Sequence, residues 1–378
     1  MSATRLPMYD TDLISMTLGP FHSALPGPMM LRLRLDGERI ESVEVETGFQ
    51  HKGLEKSFEL QNWSSSVVLA DHLDPEGSFF TELAVCTAVE ELGELEVPAR
   101  AVAIRTILSE VFRLANHLLY FAKVAKAARS DTAFHYVMRD REKLLDLIEL
   151  LTGARSSVGF LRFGGVNADI TEGFIERVLD VCDLLQVRLK EYNDLFTYNQ
   201  AFVFRASGVG VLTRECALKF GITGPAARAS GIDYDVRKKA PYLLYGKLDF
   251  EIPVGRGEVG VQGDIHDRFL VRLREIEQST LILKQLVDKV PVGEFSLFQI
   301  TPDFEVPVGE SFVRVETSRG RLGAYVVSSG SVHPHRVQFS VPSQGLFSVV
   351  PILLHGCYLE ELSLVLASLD LSVTELDR

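Results

Sequence analysis

Residues able to carry chemistry gather at a few places in this chain. One is the turn Gly48-Phe49-Gln50-His51-Lys52-Gly53, set between a segment that reads as a strand and one that reads as a helix from Leu54. Its glycines permit close backbone approach, while His51 and Lys52 offer titratable or positive groups to something negative. The plainer alternative is that His51 caps the helix and bonds backbone. No cysteine follows this turn. Cys86, Cys182, Cys216 and Cys357 are scattered with no C-x-x-C pair, the local pairing that structural zinc and iron–sulfur sites use. The expectation is four reduced thiols, mostly buried, and no metal held by this chain.

Arginine and aspartate cluster in loops. Arg228, Asp233, Asp235 and Arg237 lie within ten positions, and Asp264, Asp267 and Arg268 within five. Arg155, Arg162 and Arg336 raise the same question singly. Charges in glycine-containing loops that fold over a helical core are costly unless paired. Internal ion pairs that fix loop shape are therefore the plain reading, and a subunit interface is the other. There is no G-x-S-x-G and no H-E-x-x-H. "GRGEVGVQG", Gly255 to Gly263, lacks G-x-x-x-x-G-K-[ST] and follows Pro253, so binding of NADH by this chain is not expected.

The elements that must position these groups follow from pattern. Leu31, Leu33 and Leu35 alternate with Arg32 and Arg34, and Asp36-Gly37 turns the chain into Ile40, Val43 and Val45, which is a hairpin signal. From about Ser78 to Phe202 the period becomes helical. The helices start near Ser78, after Pro98, before a stop at Gly153, and near Ile170, and together they describe a bundle. "DIHDRFLVRLREIEQSTLILKQLVDKV" resumes a long helix. "FVRVETSRGRLGAYVVSSGSVHPHRVQFSV" alternates around an Arg319-Gly320 turn and reads as a second small sheet, closed by a helix from about Ile352. The fold class is α+β: a central long-helix bundle with small antiparallel β regions near both ends. The division is 1–60 for the N-terminal hairpin and junction, 61–203 for the bundle, and 204–378 for a loop-rich region, long helix and C-terminal β/α region.

A chain of 378 residues with 39 basic and 51 acidic side chains has formal net charge −12, which argues against free-standing nucleic-acid binding. The most apolar run, from Leu346, is broken by Pro351, His355, Gly356, Glu360 and Glu361, short of the roughly 20 residues a spanning helix needs. "MSATRLPMYDTD" has no apolar secretory core, so a cytoplasmic protein is expected.

Taken in order, "GFQHKGLEK", "RLANHLL", "DREK", "TGARSSVGFLRFGGV", "ASGIDYDVRK", "FEIPVG", "GDIHDRF", "VETSRGRLGAYVVSSGSVHPHR" and "LDLSVTELDR" resemble the D subunit of respiratory complex I, the proton-translocating NADH:quinone oxidoreductase. These segments span nearly the whole chain. The family is a relative of the nickel–iron hydrogenase large subunit. Nickel ligation there needs a C-x-x-C near each end, and "LQNWSSSVVLADHL" and "SLDLSVTELDR" stand in those places, so hydrogenase chemistry is not expected. The resemblance implies a hydrogenase-large-subunit-like fold and a peripheral place on the cytoplasmic face of the inner (plasma) membrane. It implies B-type iron–sulfur and C-type partner subunits, membrane-arm subunits, and quinone as substrate. No cofactor is bound by this chain in that picture; a 4Fe–4S cluster in the B-type neighbour passes electrons to quinone in a cavity between the two proteins, and the complex is active only when assembled.

The sequence departs from the family at the quinone contacts. The "GPxHPxxHG" loop appears as Gly19-Pro20-Phe21-His22-Ser23-Ala24-Leu25-Pro26-Gly27, so its first histidine is His22 and its second falls on Pro26. The headgroup tyrosine of "RLDY" falls on Pro75 and the arginine of that segment on His72. The aspartate that pairs with the quinone histidine falls on Ala127. A quinone gaining electrons needs protons or positive donors at its oxygens. His22, His51 and His72 are therefore candidate replacements. The alternative is a scaffold subunit whose quinone chemistry is altered or lost.

Overall fold

Alternating leucines build the first sheet. β2 (Met30–Asp36) buries Leu31, Leu33 and Leu35 and turns at Gly37, where φ is 60°, into β3 (Arg39–Glu46). β1 (Ile14–Leu18), not foreseen from pattern, pairs antiparallel with β2 and gives the order β1-β2-β3. The computed structural model describes residues 13–297, 301 and 303–378; residues 1–12, the stretch without a secretory core, lie outside it.

α1 (Leu54–Leu60) and α2 (Trp63–Ala70) lead into four long helices: α3 (Ser78–Leu92), α4 (Ala99–Ala127), α5 (Asp131–Thr152) and α6 (Phe174–Tyr192). Between the last two, β4 (Leu161–Arg162) and β5 (Gly165–Val166) form a minimal hairpin. α6 continues into a π-helical turn at Asn193–Thr197, followed by α7 (Gln200–Ala206). Three short helices, α8 (Arg214–Lys219), α9 (Gly224–Ala229) and α10 (Val236–Lys239), carry the charged loop region. α11 (Ile265–Val287) then runs back into the bundle against α4 and α6. The bundle core is thus completed by a helix from the third segment of the chain. Phe121 of α4 stacks on Phe269 of α11 with ring centroids 4.4 Å apart.

β6 (Gly309–Glu316), β7 (Arg321–Ser328) and β8 (Pro334–Ser340) make the second antiparallel sheet, with the Arg319-Gly320 turn as expected. α3 packs on β6 and β7, and α1 packs on β8. α12 (Pro342–Leu354) begins ten positions earlier than the sequence suggested. Pro342 occupies its first turn, where a missing N–H costs nothing. α13 (Leu362–Leu369) and α14 (Val373–Leu376) close the chain. Among the described residues no helix is long and apolar enough to cross a membrane.

Candidate functional site

A cavity of about 480 Å³ opens between three pieces of the chain. One wall is the loop after β1, Ser23 to Pro26. A second is the C-terminal half of α4, with Leu119, Ala122, Lys123 and Ala127 on one face at helical spacing. The third is α13, with Ser363, Leu366 and Ala367, continued by Asp370 and Leu371. The lining is mainly aliphatic, and Lys126 and Arg129 stand exposed beside it. The loop is held close because Gly27 lies against Val373 of α14; a Cβ there would meet the valine side chain at 2.9 Å.

The polar end of this cavity belongs to a buried charge cluster. Lys123 Nζ donates to Glu76 Oε2 at 2.7 Å and reaches Asp370 Oδ1 at 3.4 Å. Arg319, fully buried at the turn between β6 and β7, pairs with Asp74 and Glu76 and donates to the Asp370 carbonyl at 3.0 Å. Arg272 of α11 lies 3.9 Å from Asp370. Burial works to raise the Asp370 carboxyl, but Arg319, Lys123 and Arg272 outweigh it and hold it below the usual carboxylate range. Behind it, Ser372 Oγ donates to Asp74 at 3.3 Å, and Glu375 accepts from the Ser343 amide at 3.3 Å. Burial, reinforced by the negative Asp74, pushes Glu375 up to about 8. Burial raises Asp74 as well, against the pull of Arg319.

The family profile described as the 49 Kd subunit of respiratory-chain NADH dehydrogenase matches residues 129–299 and 295–378. The chain belongs to this family. It is 35% identical to the second D subunit of NADH-quinone oxidoreductase from Thermodesulfovibrio yellowstonii over the full length of both chains. It is 36% identical to the D subunit of F420H2 dehydrogenase from Methanosarcina mazei, covering 98% of this chain and 99% of that one. Among solved structures, a chain of the membrane-bound sulfane sulfur reductase, an archaeal respiratory membrane complex, superposes with a TM-score of 0.93 at 36% identity, covering 98% of this chain and 100% of the other.

Within this 49 kDa-subunit fold, Pro26 and Ala127, the two positions that the sequence resemblance marked as substituted, line one cavity. Pro75 is exposed and does not line it. The three histidines raised from sequence are exposed, and none is among the lining residues. His22 Nδ1 accepts from the Ala24 amide at 3.2 Å. His51 does not cap α1: Gly53 occupies the cap position, and no side chain caps it. The turn is held instead by Asp377, which accepts from the Gly48 and Gln50 amides at 2.7 and 2.8 Å.

The charged loops resolve mostly into internal pairs. Arg228, fully buried, pairs with Glu275 and Glu316 at 2.7 Å and with Asp235 at 3.4 Å. Arg237 reaches Asp235 at 2.7 Å and Glu110 at 3.2 Å. Burial opposes ionisation of Asp235, yet Arg237 and Arg228 hold it at about 2. Asp264 caps α11 through the Asp267 amide, Asp267 accepts from Gly257, and Arg268 donates to the Gly210 and Gly263 carbonyls. Arg162 donates to the Gly159 and Leu161 carbonyls. Arg155 meets Glu142, Asp146 and Glu149 at the surface, Arg336 meets Glu55 and Glu59, and Asp233 lies exposed 3.7 Å from Lys239. Lys123, Glu76, Asp370 and Glu375 escaped the sequence reading. Lys123 had a signal: it sits four residues before Ala127, on the same face of α4.

Proposed function

We propose that this chain is the quinone-facing subunit of a membrane-attached respiratory oxidoreductase. In this reading a B-type neighbour's iron–sulfur cluster delivers electrons to a quinone held in the cavity, and C-type and membrane-arm subunits couple that step to proton translocation at the cytoplasmic face. The carrying observation is the cavity itself, walled by the loop that holds Pro26 and the helix that holds Ala127. Its volume and aliphatic lining suit a flat apolar headgroup, with a few polar groups at one end to orient it. The exposed turn bearing His51 and Lys52, together with His72, supplies titratable and positive groups for the face toward the iron–sulfur neighbour. The donor is left to the assembly, since relatives are named for both NADH and F420H2.

Ala367 lines the cavity, so Ala367→Phe places a ring where the headgroup would lie. In complex prepared from native membranes, the variant is expected to lose at least tenfold in kcat/KM for a short-chain quinone while subunit assembly is kept. Unchanged quinone reduction would defeat the reading and favour a scaffold role. A second acceptor is favoured by one observation: Lys123, Lys126 and Arg129 line the cavity, which has no imidazole or phenol among its lining residues. Such cations suit an anionic sulfur chain, and the superposing archaeal chain comes from a sulfane sulfur reductase. Polysulfide-dependent donor oxidation in a complex inert to quinone would select it.

A further inference from the structure

The cavity is lined by no imidazole or phenol, yet one charged donor at its buried end faces it. We infer that Lys123 is the group that hydrogen-bonds a carbonyl oxygen of the acceptor in this cavity and stabilises the negative charge that gathers there on reduction. This assignment rests on the quinone reading of the cavity.

Geometry selects Lys123 among the lining groups. Its ammonium carries three N–H donors, and Glu76 and Asp370, at 2.7 and 3.4 Å, engage two of them. The third is left for a guest. The side chain is 29% exposed although Ala122 and Val124 on either side of it are buried, and Lys123 is a lining residue, so that exposure is toward the cavity. Lys126 pairs with Asp131 at 3.0 Å, with both side chains open to solvent, and Arg129 is exposed, so both belong to the mouth. Asp370 is ionised and can only accept. Ser23 and Ser363 can donate but carry no charge, and a charge-assisted hydrogen bond is roughly twice as strong as a neutral one. Glu76 and Asp370 are positioning residues in this scheme: they fix the ammonium, and Arg319 fixes both of them. Because these donors are in place before the acceptor arrives, stabilising the developing charge needs little reorganisation.

The test uses assembled complex with Lys123→Met, Lys123→Arg and the pair Lys123→Met with Glu76→Gln. The double variant neutralises one carboxylate that the single change strands, so a complex is available should the single variant misassemble. KM and kcat are measured with a short-chain quinone, and equilibrium binding of a redox-inert quinone analogue is measured alongside. Lys123→Met is expected to lower kcat/KM at least tenfold and weaken analogue binding by a similar factor, in the single or the double variant. Lys123→Arg should recover most of both, since a merely structural lysine would not link analogue affinity to side-chain charge. Analogue binding and kcat/KM within twofold of the unaltered complex in the methionine variants would overturn the assignment while leaving quinone reduction standing. An unaltered complex inert to every quinone fails earlier, at the functional reading, and removes the basis for this one.

Discussion

Glu375 is a carboxyl that the fold keeps protonated near neutral pH, and this has a testable sign. Its unfolded value is near 4.5, and burial beside Asp74 raises it to about 8 in the folded chain. Between those values the folded state binds a proton that the unfolded state does not, so stability falls as pH rises. The contribution is full below about pH 4.5 and is lost by about pH 8. Thermal unfolding scanned from about pH 5.5 to about pH 8.5, across that window, should show Tm declining, and Glu375→Gln should flatten the slope. A slope unchanged by that substitution would place the proton elsewhere in the cluster. At this scale the sequence resemblance singled out Pro26 and Ala127 as substituted positions, and the two share a cavity. It did not show which charged groups reach that cavity. Lys123 drew no attention in the sequence, and its partners Glu76 and Asp370 come from segments far away in the chain. Pairing across such distances leaves no periodic trace.

Among the elements, α3 departs most from the amphipathic helix its sequence suggested. It is buried on nearly every side, including Glu82 and Glu90. Those two acidic side chains hold the loop between α5 and α6. Glu82 accepts from the Phe160 and Leu161 amides at 2.8 Å; Glu90 accepts from the Gly164 amide at 2.7 Å and forms a bidentate pair with Arg105 of α4. Arg105 donates onward to the Arg162 and Gly165 carbonyls at 2.9 and 2.8 Å. A glycine-rich loop whose Phe160, Leu161, Phe163 and Val166 pack into the core is thereby also tied down through its backbone amides and carbonyls. Glu90→Ala would strand Arg105, which is 1% exposed, and should cost about 3–5 kcal/mol. Denaturant unfolding of the purified chain measures this; a loss below about 1 kcal/mol would mean that the loop carbonyls alone satisfy Arg105. The long helices and both hairpins could be read from periodicity because apolar faces recur locally. β1, the early start of α12 and the burial of charge in α3 could not, because each depends on a neighbour distant in sequence.

For the molecule as a whole, the C-terminal segment from Asp370 onward acts as the clasp. Asp370 meets Lys123 and lies near Arg272 and Arg319, Ser372 bonds Asp74, Glu375 bonds the start of α12, and Asp377 holds the Gly48–Gly53 turn. Val373 packs against Gly27 of the loop over the cavity. One short segment therefore ties the N-terminal sheet, the bundle and the second sheet to the same wall, so cavity shape and turn position are set together. Asp377→Ala separates the clasp from the core. It removes two charge-assisted hydrogen bonds at a half-buried site, a loss of roughly 2–4 kcal/mol at most. The Arg319 cluster, which Asp377 does not touch, should remain intact. The expected result is faster hydrogen exchange confined to Gly48, Gln50 and their neighbours, with the exchange of α4 and α11 unchanged. Quinone reduction by the assembled complex should fall in step, because the turn carries His51 and Lys52 toward the proposed electron-donating neighbour while the cavity walls stay in place. Rapid exchange spreading into α4 would show that turn and core are one cooperative unit. Exchange unaltered at Gly48 and Gln50 would show that the turn holds its shape without Asp377.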